Sequence, residues 1–176
     1  MADVLSILKK VGAVITNDHF VYTSGKHGSV YVNKDAVYTH VGEVSKIGRM
    51  FAEKYKNRVV DIVAAPALGG IILSQWTAHH LSRLKGKEVL SVYTEKTPDK
   101  DQVFTRGYDK LVKNKKVLVI EDLTTTGGSV KKVVKSVKKA GGKVVGVAVM
   151  VNRNPKEVNS KFMSVPFTAL AVLKAE

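Results

Sequence analysis

Hydrophobic positions along the chain fall into two kinds of stretch, one with a helical period and one continuously apolar. Helical spacing occurs at residues 3–12, 41–55 and 129–140, and in the last of these the valines occupy one face and the lysines the opposite one. The runs at 59–65 and 144–151 are almost entirely apolar, which is typical of strands buried on both faces. Their alternation predicts an α/β domain whose mainly parallel central sheet is flanked by helices.

The remaining segments extend this pattern. A hairpin is predicted from Phe20 to Lys34, with its turn around Gly25–Gly28. Residues 95–115 are polar and show no helical period, and a stretch of this length inside a domain is usually functional or disordered. The other expected elements are a helix at 71–84 and strands at 88–94, 116–121 and 167–173.

Composition narrows the possible chemistry. The 176 residues suit one domain, residues 1–176. The chain contains no cysteine, so disulfides, thiolate metal sites and cysteine nucleophiles are excluded. No apolar run approaches the ~20 residues that span a bilayer, and the N-terminal MADVLSILKK lacks the form of a secretory signal. We therefore expect a cytoplasmic protein without a membrane partner.

The charge of the chain bears on its partners. A formal net charge of +14 is compatible with nucleic-acid binding. The lysines, however, are distributed along the chain, and no tract alternates Lys or Arg with aromatic residues. A positive field also suits a protein whose substrates are small polyanions. This interpretation is favoured, and nucleic-acid binding stays open as the weaker alternative.

The stretch VLVIEDLTTTGGSVKKVVKSV, residues 117–137, carries the most specific pattern. A buried strand ends in two carboxylates, Glu121 and Asp122, and a loop rich in Thr and Gly then leads into an amphipathic helix. In open α/β sheets ligands bind at the carboxyl ends of strands, and the N-terminus of a helix favours a phosphate. The carboxylates would repel a bare phosphate but suit a ligand that also carries hydroxyl groups or a divalent cation. A sugar phosphate offers such hydroxyls.

Two common nucleotide-binding motifs are absent from this stretch. It contains no Gly-Lys-Ser/Thr after the first glycine, and the chain has no G-x-G-x-x-G. The simpler alternative is a strand–turn–helix in which residues 124–129 only cap the helix. The joint pattern of carboxylates, Thr-Gly loop and helix favours the sugar-phosphate site, because it is more constrained than any of its parts.

The segment IEDLTTTGGS resembles the phosphoribosyl-diphosphate binding motif of the type I phosphoribosyltransferases. Four other stretches resemble elements of the orotate phosphoribosyltransferases: FVYTSGKHGSVYVNK their hood, AAPALGGIIL their diphosphate loop, TEK through TRGY their mobile catalytic loop, and VMVNR their base-recognising strand end. The resemblance runs from about Phe20 to Leu173. It implies the type I phosphoribosyltransferase fold, with a small N-terminal hood of about residues 1–38 together with parts of the C-terminal region.

The reaction implied by this resemblance is transfer of 5-phosphoribosyl from phosphoribosyl diphosphate to orotate, giving orotidine 5′-monophosphate and diphosphate. By the same resemblance, Glu121 and Asp122 would contact the ribose 2′ and 3′ hydroxyls. Leu68, Gly69 and Gly70 would wrap the diphosphate. The 5′-phosphate would lie against the Thr-Gly loop, which consists of Thr124, Thr125, Thr126, Gly127, Gly128 and Ser129.

Recognition of the base is assigned to Arg153 and to the hood. A guanidinium fork binds a carboxylate through two hydrogen bonds, and orotate carries a carboxylate. In the hood, Lys26 and Tyr31 are the expected substrate contacts, and Lys34 is another cation nearby.

The loop of about residues 95–108 supplies the remaining catalytic candidates, Lys96, Lys100 and Arg106, alongside Asp122. A cation placed on the leaving diphosphate would neutralise its growing charge, and closure of the loop would exclude water. Lys96 and Lys100 remain alternatives for the key lysine. The resemblance also implies a homodimer that shares this loop across its interface, and Mg²⁺ held mainly through substrate oxygens with no dedicated protein metal site.

Two positions depart from the family pattern. Thr23 stands where many relatives have a lysine before Ser-Gly, and Asn152 stands where the family usually has an acidic residue before the arginine. These departures leave open a phosphoribosyltransferase for a purine or another base. A non-catalytic nucleic-acid-binding regulator on the same fold is the third interpretation.

Overall fold

The structure is a computed structural model and is described for residues 3–21 and 27–173. Helices and strands alternate along it. The helices are α1 (Val4–Lys10), α2 (Lys34–Tyr38), α3 (Val41–Tyr55), α4 (Gly69–Lys85), α5 (Tyr108–Val112), α6 (Gly128–Lys139) and α7 (Ser160–Met163). The strands are β1 (Val14–Val21), β2 (His27–Val32), β3 (Ile62–Pro66), β4 (Leu90–Lys96), β5 (Gln102–Val103), β6 (Lys116–Thr124), β7 (Lys143–Asn152) and β8 (Phe167–Val172).

Six strands form the central sheet, in the order β5–β4–β3–β6–β7–β8. All neighbours run parallel except β5, which pairs antiparallel with β4. At the carboxyl edge of the sheet, Pro66 of β3 pairs with Thr94 of β4, and Thr124 of β6 pairs with Asn152 of β7. The predicted parallel α/β architecture is confirmed, and this edge is the place where such sheets bind ligands.

Strand β6 shows why helices cover both faces of the sheet. Its residues Leu118 and Ile120 belong to one buried cluster, which includes Phe51 of α3. Val117 and Val119 belong to a second cluster, which includes the valines of α6. Successive side chains of a strand point to opposite faces, so a continuously apolar strand needs cover on both sides. Each fully buried side chain of this size contributes about 1.5–3 kcal/mol to stability.

The N-terminal part of the chain forms a small layer beside this sheet. The predicted hairpin is confirmed as the antiparallel pair β1–β2, although β1 begins at Val14, six residues before the predicted start. The backbone N–H of Asn33 donates to the carbonyl of Ala13, directly before β1, at 2.7 Å, and the N–H of Ala13 donates to the Leu8 carbonyl of α1 at 2.8 Å, which ties the hairpin to that helix. Leu8 of α1 and Val32 of β2 are buried in the same cluster as Phe51. The hairpin turn lies outside the described residues.

The polar stretch 95–115, in which the sequence shows no helical period, is ordered. It contains β5 and α5, which are short and held by contacts distant in sequence. The buried side chain of Gln102 accepts a hydrogen bond from Thr94 at 2.7 Å, and Val112 is buried in the cluster of α6. Elements of two and five residues are too short to show a hydrophobic period, so pattern alone misses them.

Several boundaries also differ from the sequence prediction. Strand β3 begins at Ile62 and not at 59, since Val59 is 52% exposed. Helix α4 begins at Gly69, two residues early, and β6 continues to Thr124. The short helices α2 and α7 were not predicted, and α7 begins where the side chain of Asn159 accepts from the backbone of Lys161 and Phe162. No helix within residues 3–21 and 27–173 combines the length and apolar character needed to cross a membrane.

Candidate active site

Two buried carboxylates lie side by side at the carboxyl end of β6. Glu121 is 7% exposed and Asp122 is 1% exposed. One oxygen of Asp122 accepts from the backbone N–H of Leu123 at 2.6 Å. The other accepts from the Tyr38 hydroxyl at 3.0 Å and lies 2.8 Å from the Lys34 ammonium. Asp122 is therefore oriented from three sides, by its own strand and by both ends of α2.

The charges around this pair set the protonation states. Burial and, next, the Asp122 carboxylate raise the pKa of Glu121 well above its usual value. Burial lowers the pKa of Lys34, but the charge and hydrogen bond of Asp122, together with the charges of Glu121 and Asp35, outweigh it, and the net direction is upward. Burial and the Asp122 charge raise the pKa of Tyr38, so its hydroxyl stays neutral and donates. The site thus combines one firm ion pair with a second carboxylate that resists ionisation.

The predicted diphosphate loop lies directly against Asp122. A Cβ on Gly69 would stand 1.9 Å from Oδ2 of Asp122, so only glycine fits there. The loop contains a cis peptide bond between Ala67 and Leu68, and its start is fixed by the Ala67 N–H, which donates to the Thr94 carbonyl at 2.8 Å. The Leu68 side chain is 83% exposed. Gly70 is buried beneath the turn, where a Cβ would stand 2.8 Å from Ala65.

The Thr-Gly loop, residues 124–129, turns tightly into α6. Gly127 adopts a left-handed φ of 72° and donates its N–H to the Thr124 hydroxyl at 3.0 Å. Gly128 donates to the Thr126 hydroxyl at 3.3 Å. Thr125 is half-buried, whereas Thr126 and Ser129 are exposed. These bonds shape the loop around the N-terminus of a helix of twelve residues, whose first N–H groups and dipole favour an anion.

Arg153 joins this loop to the hood. It is buried just beyond β7, its backbone N–H donates to the Thr124 carbonyl at 2.8 Å, and its guanidinium donates to the Val30 carbonyl of β2 at 3.3 Å. The preceding Asn152 is also buried and shapes the turn after β7, because its side chain bonds the backbone of Val158 and Asn154. Asn152, which precedes the arginine in this chain, therefore has a structural role.

Comparison with known proteins bears out the resemblance. A family model of the phosphoribosyl transferase domain matches residues 33–167. The orotate phosphoribosyltransferase of Caldanaerobacter subterraneus subsp. tengcongensis is 36% identical over 171 residues, which is 97% of this chain and 84% of that protein. The chain belongs to the orotate phosphoribosyltransferase family. The enzyme of that name from Desulforamulus reducens is 37% identical over 157 residues, covering 89% of this chain and 78% of that protein.

Solved structures agree on the fold of this family member. Orotate phosphoribosyltransferase from Mycobacterium tuberculosis in complex with inorganic phosphate superposes with a TM-score of 0.76 at 22% identity, covering 97% of this chain and 96% of that one. Adenine phosphoribosyltransferase from Thermoanaerobacter pseudethanolicus gives a TM-score of 0.71 at 20% identity, with 94% and 99% covered. The type I phosphoribosyltransferase fold is thus confirmed, and the fold is shared by enzymes named for different bases.

Within the described part of the chain, the loop cations form no ion pair with Glu121 or Asp122. Lys96 ends β4 with an exposed side chain, and Lys100 is exposed in a left-handed conformation. Lys132 donates to the Lys100 carbonyl. Arg106 forms an ion pair with Glu95 at 3.2 Å, and its guanidinium carbon lies 5.9 Å from the centre of the Tyr93 ring. Their assignment to catalysis remains a prediction.

The structure places the predicted substrate contacts of the hood differently from one another. Tyr31 stacks on Phe20, with ring centres 5.3 Å apart, on an exposed part of the hairpin. Lys26 lies outside the described residues. By contrast, Lys34 and Tyr38 contact the carboxylate site directly, although the sequence marks Lys34 only as a nearby cation and does not mark Tyr38. The one available signal is that they are four residues apart, which puts both on one face of a helical turn.

Proposed function

We propose that this family member transfers the 5-phosphoribosyl group of phosphoribosyl diphosphate to orotate, giving orotidine 5′-monophosphate and diphosphate in pyrimidine biosynthesis. The observation that carries the proposal is the position of Asp122, between the Ala67–Gly70 turn and the Thr-Gly loop. A phosphorylated ribose with a diphosphate on its anomeric carbon has hydroxyls in the middle and an anionic group at each end. At the carboxyl edge of the sheet, the Ala67–Gly70 turn, the Asp122 carboxylate and the Thr-Gly loop follow one another in the same order.

In this proposal the chain binds and orients the sugar and supplies no nucleophile. Glu121 and Asp122 accept hydrogen bonds from the ribose 2′ and 3′ hydroxyls, and residues 124–129 hold the 5′-phosphate. As the anomeric carbon–oxygen bond breaks, its electron pair leaves with diphosphate and the carbon becomes oxocarbenium-like. The ring nitrogen of orotate then bonds to that carbon and loses its proton. Rate enhancement comes from holding both substrates in line and from stabilising the charge that develops.

The choice of orotate rests on Arg153 and on the relatives. Arg153 is fixed between the Thr-Gly loop and strand β2, so its guanidinium lies where the hood meets the sugar site. A buried guanidinium recognises a planar carboxylate, which orotate has and purines lack. Relatives that carry the orotate name match most of this chain at 36–37% identity.

Magnesium and a second subunit complete the proposal. Among the residues described, no three His, Asp or Glu side chains lie together in a way that could hold a metal ion. Asp122 is already engaged with Lys34, so the residues present suit Mg²⁺ that would be carried mainly by diphosphate and ribose oxygens. Bound Mg²⁺ would neutralise diphosphate charge. We further propose a cytoplasmic homodimer in which segment 95–108 serves the partner's site.

The test mixes purified protein with Mg²⁺, phosphoribosyl diphosphate and orotate, and follows the ultraviolet absorbance of orotate. Adenine, guanine, xanthine and uracil are run in parallel, with diphosphate release as the readout. Mg²⁺-dependent loss of orotate is expected. Turnover with another base alone would contradict the role given to Arg153. Binding of phosphoribosyl diphosphate without turnover on any base would overturn the proposed reaction.

A further inference from the structure

The Ala67–Gly70 turn has no cationic side chain of its own. Its residues are Ala67, Leu68 and two glycines, and Pro66 precedes it. A diphosphate held by this turn would meet backbone N–H groups and an exposed leucine on one side and the Asp122 carboxylate on the other. This carboxylate would repel a diphosphate, so the turn needs a positive charge from elsewhere in the fold.

Lys34 places a positive charge in that gap. Its ammonium lies 2.8 Å from Oδ2 of Asp122 and 3.2 Å from the position that a Cβ on Gly69 would take. It therefore lies beside both the Asp122 carboxylate and Gly69 of the turn. The side chain is 39% exposed while that of Asp122 is 2% exposed, so the open side of the ammonium faces the solvent from which a ligand arrives.

The position of Lys34 in the chain connects it to the hood. It is the first residue of α2, directly after strand β2 and Asn33. Tyr38, one helical turn later, donates to the same oxygen of Asp122 and holds the carboxylate while Lys34 has hydrogens left to donate. Because an ammonium carries three donors, Lys34 can keep its bond to Asp122 and still contact an anion on the turn.

We infer that Lys34 binds the diphosphate of phosphoribosyl diphosphate, and that it supplies to the Ala67–Gly70 turn the cation that the turn lacks. In the free protein its charge is balanced by Asp122, and in the loaded protein it bridges Asp122 and a diphosphate oxygen. The inference rests on the proposed function for the identity of the ligand. It gives Lys34 a role in binding that is separate from the orientation of Asp122.

The test measures two affinities in the full-length protein by calorimetry, one for magnesium diphosphate and one for orotidine 5′-monophosphate, which has no diphosphate. Lys34→Met keeps the length of the side chain and removes the charge. We expect it to weaken diphosphate binding about tenfold or more and orotidine monophosphate binding by less than about twofold. Lys34→Arg should restore most of the diphosphate affinity.

Two controls separate charge from structure. Lys10→Met removes a lysine from an exposed ion pair with Glu43 and should change neither affinity. Tyr38→Phe removes the other side-chain donor to Oδ2 of Asp122 and should weaken diphosphate binding much less than Lys34→Met does. A Lys34→Met protein that loses both ligands equally would show that the lysine only orients Asp122, and one that keeps both would show that it does not contact the diphosphate. Either result overturns the inference.

The same experiment keeps this inference apart from the proposed reaction. If the wild-type protein binds diphosphate through Lys34 but does not convert orotate, the role of Lys34 is supported and the proposed reaction is contradicted. If the wild-type protein converts orotate but Lys34→Met binds diphosphate normally, the reaction is supported and the role of Lys34 is contradicted. Absence of diphosphate binding in the wild-type protein would overturn the inference directly.

Discussion

Two segments leave the same edge of the sheet and run from a parallel strand into a helix, yet they hold their charges in opposite ways. The first segment runs from the end of β6, which carries Glu121 and Asp122, into α6, and both carboxylates are buried. The second runs from the end of β4 through β5 into α5, and its cations Lys96, Lys100 and Arg106 are exposed. The first segment therefore offers fixed carboxyl groups, whereas the second offers positive groups that can change partners.

The difference follows from what surrounds each segment. Gly69, Lys34 and Tyr38 enclose Asp122, so a change at this carboxylate disturbs the core of the site. The segment after β4 packs on the cluster of α6 through Phe104, Tyr108 and Val112, whereas its first part is held by polar bonds such as that from Thr94 to Gln102. Segments with few buried apolar contacts open at low free energy, as a loop that covers a substrate must. The following experiments test this contrast.

The largest effect is expected from Gly69→Ala. The added Cβ would stand 1.9 Å from Asp122, so the carboxylate or the turn must move. We expect a loss of about 1–3 kcal/mol in the free energy of unfolding and about a hundredfold fall in kcat/KM, since a displacement of about 1 Å at a reacting centre has that effect. Urea unfolding and steady-state rates check it. Gly42→Ala is the control, because nothing lies within 4 Å of its Cβ position.

A large effect on activity alone is expected from the double variant Lys96→Ala/Lys100→Ala. Both side chains are exposed, so the free energy of unfolding should change by no more than about 0.5 kcal/mol. The value of kcat/KM should fall about a hundredfold if these cations meet the leaving diphosphate. The control Lys138→Ala/Lys139→Ala removes the same charge from the exposed end of α6. Equal losses in both double variants would show that net charge, and not the loop, is responsible.

The pH dependence of stability distinguishes the buried carboxylate from an exposed one. Burial raises the pKa of Glu121 in the folded protein above its unfolded value, so the stability it contributes is present below the unfolded pKa and is lost as pH rises through the folded pKa. Compared with Glu121→Gln, the wild-type protein should lose stability over the range in which pH rises above the unfolded value of about 4.3. Urea unfolding across that range checks the sign.

Glu53→Gln is the matched control for that measurement, with the opposite sign. A hydrogen bond from Lys56 lowers the pKa of Glu53 in the folded protein, so its contribution is present above the unfolded pKa and is lost as pH falls. The stability difference between wild-type and Glu53→Gln should therefore rise with pH. If the Glu121 and Glu53 differences ran in the same direction, Glu121 would not be behaving as a buried acid.

The same contrast explains what the sequence could and could not predict. The strand, the carboxylates, the Thr-Gly loop and the valine face of α6 are all local patterns, and β6 and α6 lie within three residues of the predicted bounds. Contacts across the chain leave no such pattern. Tyr38 is separated from Asp122 by 84 positions, and α2, which presents it, is too short for a hydrophobic period. The two-residue strand β5 likewise leaves no local pattern, because it depends on the hydrogen bond from Thr94 to Gln102.

The smallest effect is expected from Thr94→Val, which tests how firmly the segment after β4 is held. The valine has the shape of threonine but cannot donate to the buried Gln102 amide, and an unpaired buried polar group costs about 1–3 kcal/mol. We expect the lower part of that range, because Ser136 still bonds the Gln102 backbone. Thr39→Val, which removes an exposed hydroxyl bonded to Ala36, should cost less than about 0.5 kcal/mol. Equal urea midpoints for the two variants would mean that the Thr94–Gln102 bond does not fasten the segment, and that its order depends on α6 alone.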